Sequence, residues 1–558
     1  MTGTGTIYYT TDGSDPRDYD PVTGITSIAA TASNFAVSPP DPLTETTVVA
    51  ARILDAGQWS ALNEALFIVI PPTAPSIAVT EINYNPHAPT DDELTALPGV
   101  DNDEFEFIEI QNVDPSETIN VGGYSLSGGI TFTFPVASLG PGEFAVVVED
   151  AAAFQERYGS SANVLGEWSG GLSNGGEQLS LADGSGNTIL DFEYNDNDPW
   201  PERADGAGGT IELSNPMGTP SEHFGKYYAW RGSTKFGGSP GSAGVEPIGV
   251  VINEILAHTD PPITLSDSIE LFNPTDTAID IGGWFLSDAG GNLRKYEIPS
   301  GTMLAAGAYL VFDENDFNPI PENPGANDFA LSGANGDDVY LTVPDENDGV
   351  ASFVDDVHFG ASRNGEAFGR VPNGAGRLAP MSELTLGSDN SEPRIGPLVI
   401  SEVNYQPGDP SAAALEADPE ITPSDLEFVE IHNPTNAAES LTDWRIRGGI
   451  DFEFAHDLTI GAGDTLVIIS FDPGDPQNAD RLSAFHAQYN LDDSVMILGG
   501  YAGQLSDNGE RVQLQRPDEP PAEEPTLIPR LYEDELLYDN LSPWPISASG
   551  FGDSLQRG

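Results

Sequence analysis

Phe428-Val429-Glu430-Ile431-His432-Asn433-Pro434-Thr435 decides the reading of this chain, because the pattern occurs three times. The earlier copies are Phe107-Ile108-Glu109-Ile110-Gln111-Asn112 and Ile269-Glu270-Leu271-Phe272-Asn273-Pro274-Thr275. Apolar residues around one glutamate, stopping at an asparagine, spell a short strand entering a turn. Upstream of each copy lies another strand with a single glutamate: Val79-Thr80-Glu81-Ile82-Asn83-Tyr84, Ile252-Asn253-Glu254-Ile255 and Ile400-Ser401-Glu402-Val403-Asn404-Tyr405. Downstream comes an aromatic strand: Gly123-Tyr124-Ser125-Leu126, Gly283-Trp284-Phe285-Leu286 and Asp443-Trp444-Arg445-Ile446. A turn and strand follow, at Leu139-Gly140-Pro141-Gly142, Leu304-Ala305-Ala306-Gly307 and Ile460-Gly461-Ala462-Gly463. The last signal is Leu172-Ser173-Asn174-Gly175-Gly176-Glu177, with counterparts Leu331-Ser332 to Asp337 and Leu505-Ser506 to Glu510. A period of roughly 150–175 residues is too long for a solenoid unit and fits whole domains in tandem.

The rest of the chain agrees. Its 558 residues exceed one hydrophobic core. Short apolar or alternating runs between Gly, Pro, Asn and Asp clusters predict antiparallel β-structure nearly throughout. The exceptions are short helix candidates at 149–158 and 479–489. The predicted fold class is all-β: tandem immunoglobulin-like β-sandwiches. Pro/Gly-rich joints at 71–75, 237–244 and 392–397 divide the chain into 1–72, 76–245, 246–392 and 396–558. The joints are short, which predicts a semi-rigid string.

Charge excludes some partners. Lys and Arg number 20 against 89 Asp and Glu, a formal −69. A polyphosphate partner needs cations that displace counterions, so nucleic acid is disfavoured, as are anionic membrane surfaces. No cysteine is present, hence no disulfide, thiolate metal site or cysteine nucleophile. No apolar run approaches transmembrane length; the longest, 65–70, is strand-sized.

Each repeat resembles the lamin tail domain, an immunoglobulin-like sandwich of nuclear lamins and many bacterial secreted proteins. The residues that carry the likeness include Asn253-Glu254-Ile255, Asn273-Pro274, Trp284, Trp230 and Gly238-Ser239-Pro240-Gly241. The first repeat departs at Tyr124, where tryptophan is usual; the second is compact; the third carries an acidic, proline-rich insertion at 517–525. The segment before them is similar to the small β-domain at the C-terminal end of chitobiase and β-hexosaminidase-type proteins. It carries Ile7-Tyr8-Tyr9-Thr10-Thr11-Asp12-Gly13-Ser14-Asp15-Pro16-Arg17, then Val48 to Arg52 and Trp59. That family opens with strands that are missing here, and the third repeat stops at its expected last strand, 553–557, so both ends read as clipped. The resemblance implies export to the cell surface or beyond. In the bacterial proteins it resembles, such strings often follow a CotH-type kinase-like domain. A nuclear scaffold role is disfavoured by the lack of a heptad rod, a basic localisation run and a C-terminal Cys-a-a-X.

The paired glutamates are the candidate site residues: Glu81 with Glu109, Glu254 with Glu270, and Glu402 with Glu430. If the strands pair, two carboxylates approach, as an acid/base pair or a hard-cation site requires. Calcium is the candidate ion. The preferred alternative is structural: the carboxylates face solvent on alternating strands or bond backbone amides at a strand end. Catalysis is disfavoured, since one active site repeated three times in a row would be unusual. Acidic clusters at Asp12, Asp15, Asp18 and Asp20, at Asp191, Glu193, Asp196 and Asp198, and at Asp313, Glu314 and Asp316 read as solvated loops, because none has EF-hand spacing. The seven histidines are scattered, so a zinc site is improbable. No Gly-x-Ser-x-Gly or phosphate loop occurs. Trp284 and Trp444 read as core; Trp200 and Trp544 read as packed on the sandwich ends. The expected function is a non-catalytic structural, adhesion or binding region of an exported bacterial protein, with a protein or polysaccharide partner at the cell surface. The alternative is an accessory region of a larger enzyme whose catalytic domain lies outside this chain.

Overall fold

The computed structural model describes residues 5–557 apart from 12–14, 20–25, 35–46, 56, 68–74, 348, 493 and 522–523. Asp12, Asp20 and most of the 71–75 joint lie outside the described residues, as does part of the 517–525 insertion.

Each repeat begins where its sequence signals begin. The opening strands, Ile77–Asn83, Val251–Leu256 and Val399–Asn404, pair antiparallel with the quoted strands, Phe107–Asn112, Ser268–Phe272 and Phe428–His432. The next strand, Phe144–Val148, Tyr309–Asp313 or Thr465–Ile469, adds on the far side. A closing strand, Ile211–Leu213, Ala367–Val371 or Leu555–Gln556, flanks the opening one. In the first two repeats a further strand, Trp230–Gly232 or Arg377–Pro380, pairs outside the closing strand.

A second sheet packs face to face on the first. Its centre is the aromatic strand (Ser125–Gly128, Phe285–Ser287, Arg445–Gly448) beside a long hairpin such as Gly509–Pro517 with Arg530–Asp539. Alternation sends Leu179 and Leu181, Val339 and Leu341, and Val512 and Leu514 inward, where one apolar core per repeat forms. Trp284 and Trp444 are buried in those cores, and Trp200 and Trp544 pack at their margins.

The turns explain the sequence signals. Asn112, Asn273 and Asn433 are fully buried. Each side-chain amide donates to turn carbonyls, as Asn433 Nδ2 does to Ala437 O at 2.8 Å and Gly461 O at 2.9 Å. Gly142, Gly307 and Gly463 return the bond by donating to the asparagine carbonyl, and all three have positive φ.

The antiparallel expectation needs correction at two edges. Val164–Glu167 runs parallel to Phe144–Val148, and Met496–Gly499 runs parallel to Thr465–Ile469. A parallel neighbour requires a crossover, and the helices Ala151–Tyr158 and Ala479–Tyr489 supply it. The second repeat has only the short helix Glu314–Phe317 at this place.

In the N-terminal segment Thr6–Thr10 pairs with Thr47–Asp55. Asp15 receives both Nε and Nη2 of Arg52 at 2.7 Å, so this member of its acidic cluster is ion-paired.

Candidate functional site

Strand register sets each glutamate pair directly face to face: Glu81 opposite Glu109, Glu254 opposite Glu270, and Glu402 opposite Glu430. Just before the first glutamate of every pair the register slips, between Val79 and Glu81, Ile252 and Glu254, and Ile400 and Glu402. This is a β-bulge, and the extra residue is Thr80, Asn253 or Ser401. Each extra residue donates to the glutamate on the neighbouring strand: Thr80 Oγ1 to Glu109 Oε1 at 2.6 Å, Asn253 Nδ2 to Glu270 Oε1 at 2.8 Å, Ser401 Oγ to Glu430 Oε1 at 2.7 Å.

The solvent-facing alternative does not hold for the first two pairs. Glu81 and Glu109 are 1% and 2% exposed, and Glu254 and Glu270 are 0%. A returning segment covers them. Ser239 N–H donates to Glu81 Oε1 at 2.9 Å and Gly241 N–H to Glu109 Oε2 at 2.6 Å. In the second repeat Thr385 N–H donates to Glu254 Oε1 at 2.9 Å and Gly387 N–H to Glu270 Oε2. Two amides, two residues apart, thus serve two carboxylates by the same geometry. Gly241 and Gly387 have φ of +86° and +88°, a region that a side chain opposes.

Burying like charges side by side favours the protonated form. Burial raises Glu109 and Glu270 to about 7. Burial also raises Glu254, and burial with the neighbouring Glu109 and Glu212 raises Glu81. Such a pair can hold a proton, and in the first two repeats its oxygens accept from the covering amides. The arrangement is a latch that fixes the repeat's returning segment to its sheet. Glu212 lies opposite Glu81 and shares the Ser239 hydroxyl with it, but among the described residues no third group brings a ligand atom within 4.8 Å of both carboxylates of a pair.

A second set of acids was missed from sequence. Glu106, Asp267 and Glu427 stand immediately before the quoted strand and are buried. They accept from the backbone N–H of Leu172, Leu331 and Leu505 at 3.1, 3.2 and 3.3 Å. The acids that follow, Glu177, Asp337 and Glu510, accept from Ser173, Ser332 and Ser506 N–H. The Leu-Ser signal is therefore held by two carboxylates. Burial raises Glu106 to about 9, and Asp267 and Glu427 to about 7. An acid at the same offset from all three strands was visible in the aligned repeats.

The expected string is instead closed on itself. Asp198 Oδ2 in the first repeat receives Arg377 of the second at 2.8 Å and Arg511 of the third at 2.5 Å. Arg377 also bonds Glu535 at 2.8 Å. Arg363 and Arg394 of the second repeat and the segment after it bond Glu533 at 2.8 and 3.3 Å. Lys226 of the first repeat meets Asp539 of the third at 3.0 Å. Tyr532 packs against the core of the second repeat, and Phe236 stacks on Phe353 with centroids 5.9 Å apart.

Between the three repeats lies a cavity of about 870 Å³. Six arginines line it (Arg203, Arg370, Arg377, Arg394, Arg511 and Arg557) together with Trp200, Tyr227, Tyr532 and eight acids. A chain with 20 basic residues has gathered many of them here. Most are bound to carboxylates, so the cavity wall is an ion-pair network that fastens the repeats.

In its wall Glu202 and His358, together with Asp338, bring one ligand atom each within 4.8 Å of one another. His358 Nδ1 lies 2.8 Å from Asp338 Oδ1 and 3.7 Å from Glu202 Oε1. Burial and Asp338 raise Glu202 to about 8. Among the described residues these three have the geometry to hold a cation, although sequence offered no paired histidines. The other acidic clusters are not simply solvated: Asp191 accepts from Gln178, Asp198 of the same cluster holds arginines of the other two repeats, and Asp313 caps the helix Glu314–Phe317.

Three segments of the chain, 71–196, 246–358 and 391–517, match the lamin tail domain family. Among solved structures, a DUF4876 family protein from Bacteroides thetaiotaomicron is similar at 10% identity and a TM-score of 0.18. The match covers 52% of this chain and 78% of that one. No curated protein matches the chain.

Proposed function

From the premise that this chain belongs to the lamin tail domain family, we propose that it is a non-catalytic structural and binding region of an exported bacterial protein. Its three repeats act as one platform that presents outward loops to a protein or polysaccharide at the cell surface. The observation that carries this reading is Asp198, bound from two other repeats at once. A closed triangle holds its exposed loops at fixed spacing, so several weak contacts can engage a surface together, and avidity then exceeds any one affinity. No helix among the described residues is long and apolar enough to cross a membrane.

The test is retention of the purified chain on bacterial cell walls, insoluble polysaccharides and immobilised surface proteins. Saturable retention is expected, with no soluble product released. Turnover of any of these materials would overturn the non-catalytic reading. Failure to bind all of them would overturn the binding one.

A further inference from the structure

The seam between the first and second repeats brings together three side chains that the repeat pattern does not call for. Asp338 and His358 stand directly opposite each other on the hairpin of Asp337–Pro344 with Val350–Phe359. The same rung holds Gln178 opposite Glu193 in the first repeat and Arg511 opposite Leu537 in the third. Glu202 reaches them from the first repeat, where it opens the helical turn Glu202–Ala204 after Trp200-Pro201. The third repeat has Ile546 at that place, after Trp544-Pro545. Other residues serve at all three positions, so forming a repeat does not require these.

The neighbouring rung explains why they meet. Tyr340 and Asp356 are opposite each other there, and Asp356 projects from the same face as His358 two residues along. Arg203 pairs with Asp356 and lies over the Phe353 ring, which lays Glu202 beside Asp338 and His358. One rung therefore matches a guanidinium to a carboxylate. The other sets two carboxylates against one imidazole, and among the described residues no lysine or arginine pairs with either carboxylate.

The spacing suits a small divalent ion. His358 Nδ1 lies 2.8 Å from Asp338 Oδ1 and 3.7 Å from Glu202 Oε1. Ligands set tetrahedrally on bonds of about 2.1 Å stand roughly 3.4 Å apart. One imidazole with two carboxylates is a donor set of the zinc kind, whereas calcium asks for six or more oxygens. Scattered histidines disfavoured zinc in the sequence, but one histidine suffices when the other ligands cross a seam. Glu202 and His358 also line the central cavity, which gives an ion an entry path and room for water at its remaining position.

We propose that Glu202, Asp338 and His358 form a zinc-type divalent cation site that staples the first repeat to the second. One ion offsets both carboxylates and draws ligands from each side of the seam, so metal binding and docking of the two repeats are linked. The site is independent of whether the platform binds a protein or a polysaccharide.

The probe is Zn²⁺ alone, titrated calorimetrically into the full chain at fixed ionic strength, with Ca²⁺ as the comparison. One saturable site is expected, about tenfold or more tighter for Zn²⁺ than for Ca²⁺. Hydrogen exchange should slow at 202–205 and at 356–359 together. Glu202→Gln, Asp338→Asn and His358→Gln should each weaken Zn²⁺ binding about tenfold or more, at least what an outer-sphere change costs. Each variant should keep its circular dichroism in metal-free buffer, which separates a lost ligand from lost folding. No saturable Zn²⁺ binding, binding indifferent to these substitutions, Ca²⁺ bound as tightly as Zn²⁺, or exchange slowed on one side of the seam only would each overturn the proposal.

Discussion

Asp443 shows how much one backbone angle can matter. The residue before the aromatic strand has positive φ in every repeat: 83° at Gly123, 84° at Gly283 and 61° at Asp443. Only the third repeat places a β-carbon there, which opposes this conformation. Asp443→Gly is expected to raise stability by about 1 kcal/mol, seen as a higher melting temperature; a fall would contradict it. The buried acids make a second prediction. Their folded pKa values are raised, so the folded state binds more protons than the unfolded one. Their stabilising contribution is complete below the ordinary carboxylate range and is lost as pH rises through about 7 for Glu109 and Glu270 and about 9 for Glu106. The urea midpoint should therefore fall between pH 6 and pH 9. Glu106→Gln keeps an acceptor for Leu172 and cannot ionise, so it should flatten the upper part of that fall. A midpoint that rises with pH would refute the assignment.

At the scale of elements, the two helices read from sequence at 149–158 and 479–489 are found at Ala151–Tyr158 and Ala479–Tyr489. The parallel edge strands they deliver were not read. Val164–Glu167 and Met496–Gly499 are four residues each and too short to carry a periodic signal. Their place follows from where the helix lands. Phe485 is fully buried with Leu426, Phe428, Val467 and Ile469, seating the helix on the outer face of the sheet. Phe485→Ala should cost about 3–5 kcal/mol. Hydrogen exchange should then quicken first in Met496–Gly499, with the sandwich core Ile446, Val512 and Leu514 protected longer; uniform acceleration would mean that the edge does not depend on the helix.

For the whole molecule, the closed triangle is fastened by partly exposed ion pairs at Asp198 and by more buried ones at Glu533 and Asp539. Asp198→Asn should weaken both bonds and leave Arg377 and Arg511 beside each other. The expected result is a larger radius of gyration by small-angle X-ray scattering with unchanged circular dichroism. An unchanged radius would mean that Tyr532, Phe236 and Lys226 close the triangle without it. Calcium bears on the same scale. The amides that fill the first two carboxylate pairs leave little room for it, so millimolar calcium should shift melting no more than an ionic-strength control. A specific rise would place a cation at a glutamate pair or at Glu202, Asp338 and His358.

Local pattern alone determined the β-class, the threefold repeat and the buried tryptophans, and marked the glutamates whose pairing the strand register then set. Those features depend on residues near one another in the chain and on a period of two. Three things were decided only by tertiary structure: the bulge that turns Thr80, Asn253 and Ser401 toward a neighbouring carboxylate, the segments that bury the first two pairs, and the meeting of Arg377 and Arg511 at Asp198. Each joins side chains more than a hundred residues apart or depends on a one-residue slip in register. Short-range periodicity carries no record of either, because the free energy that selects them comes from desolvation and hydrogen bonding between surfaces that exist only after the sheets have formed.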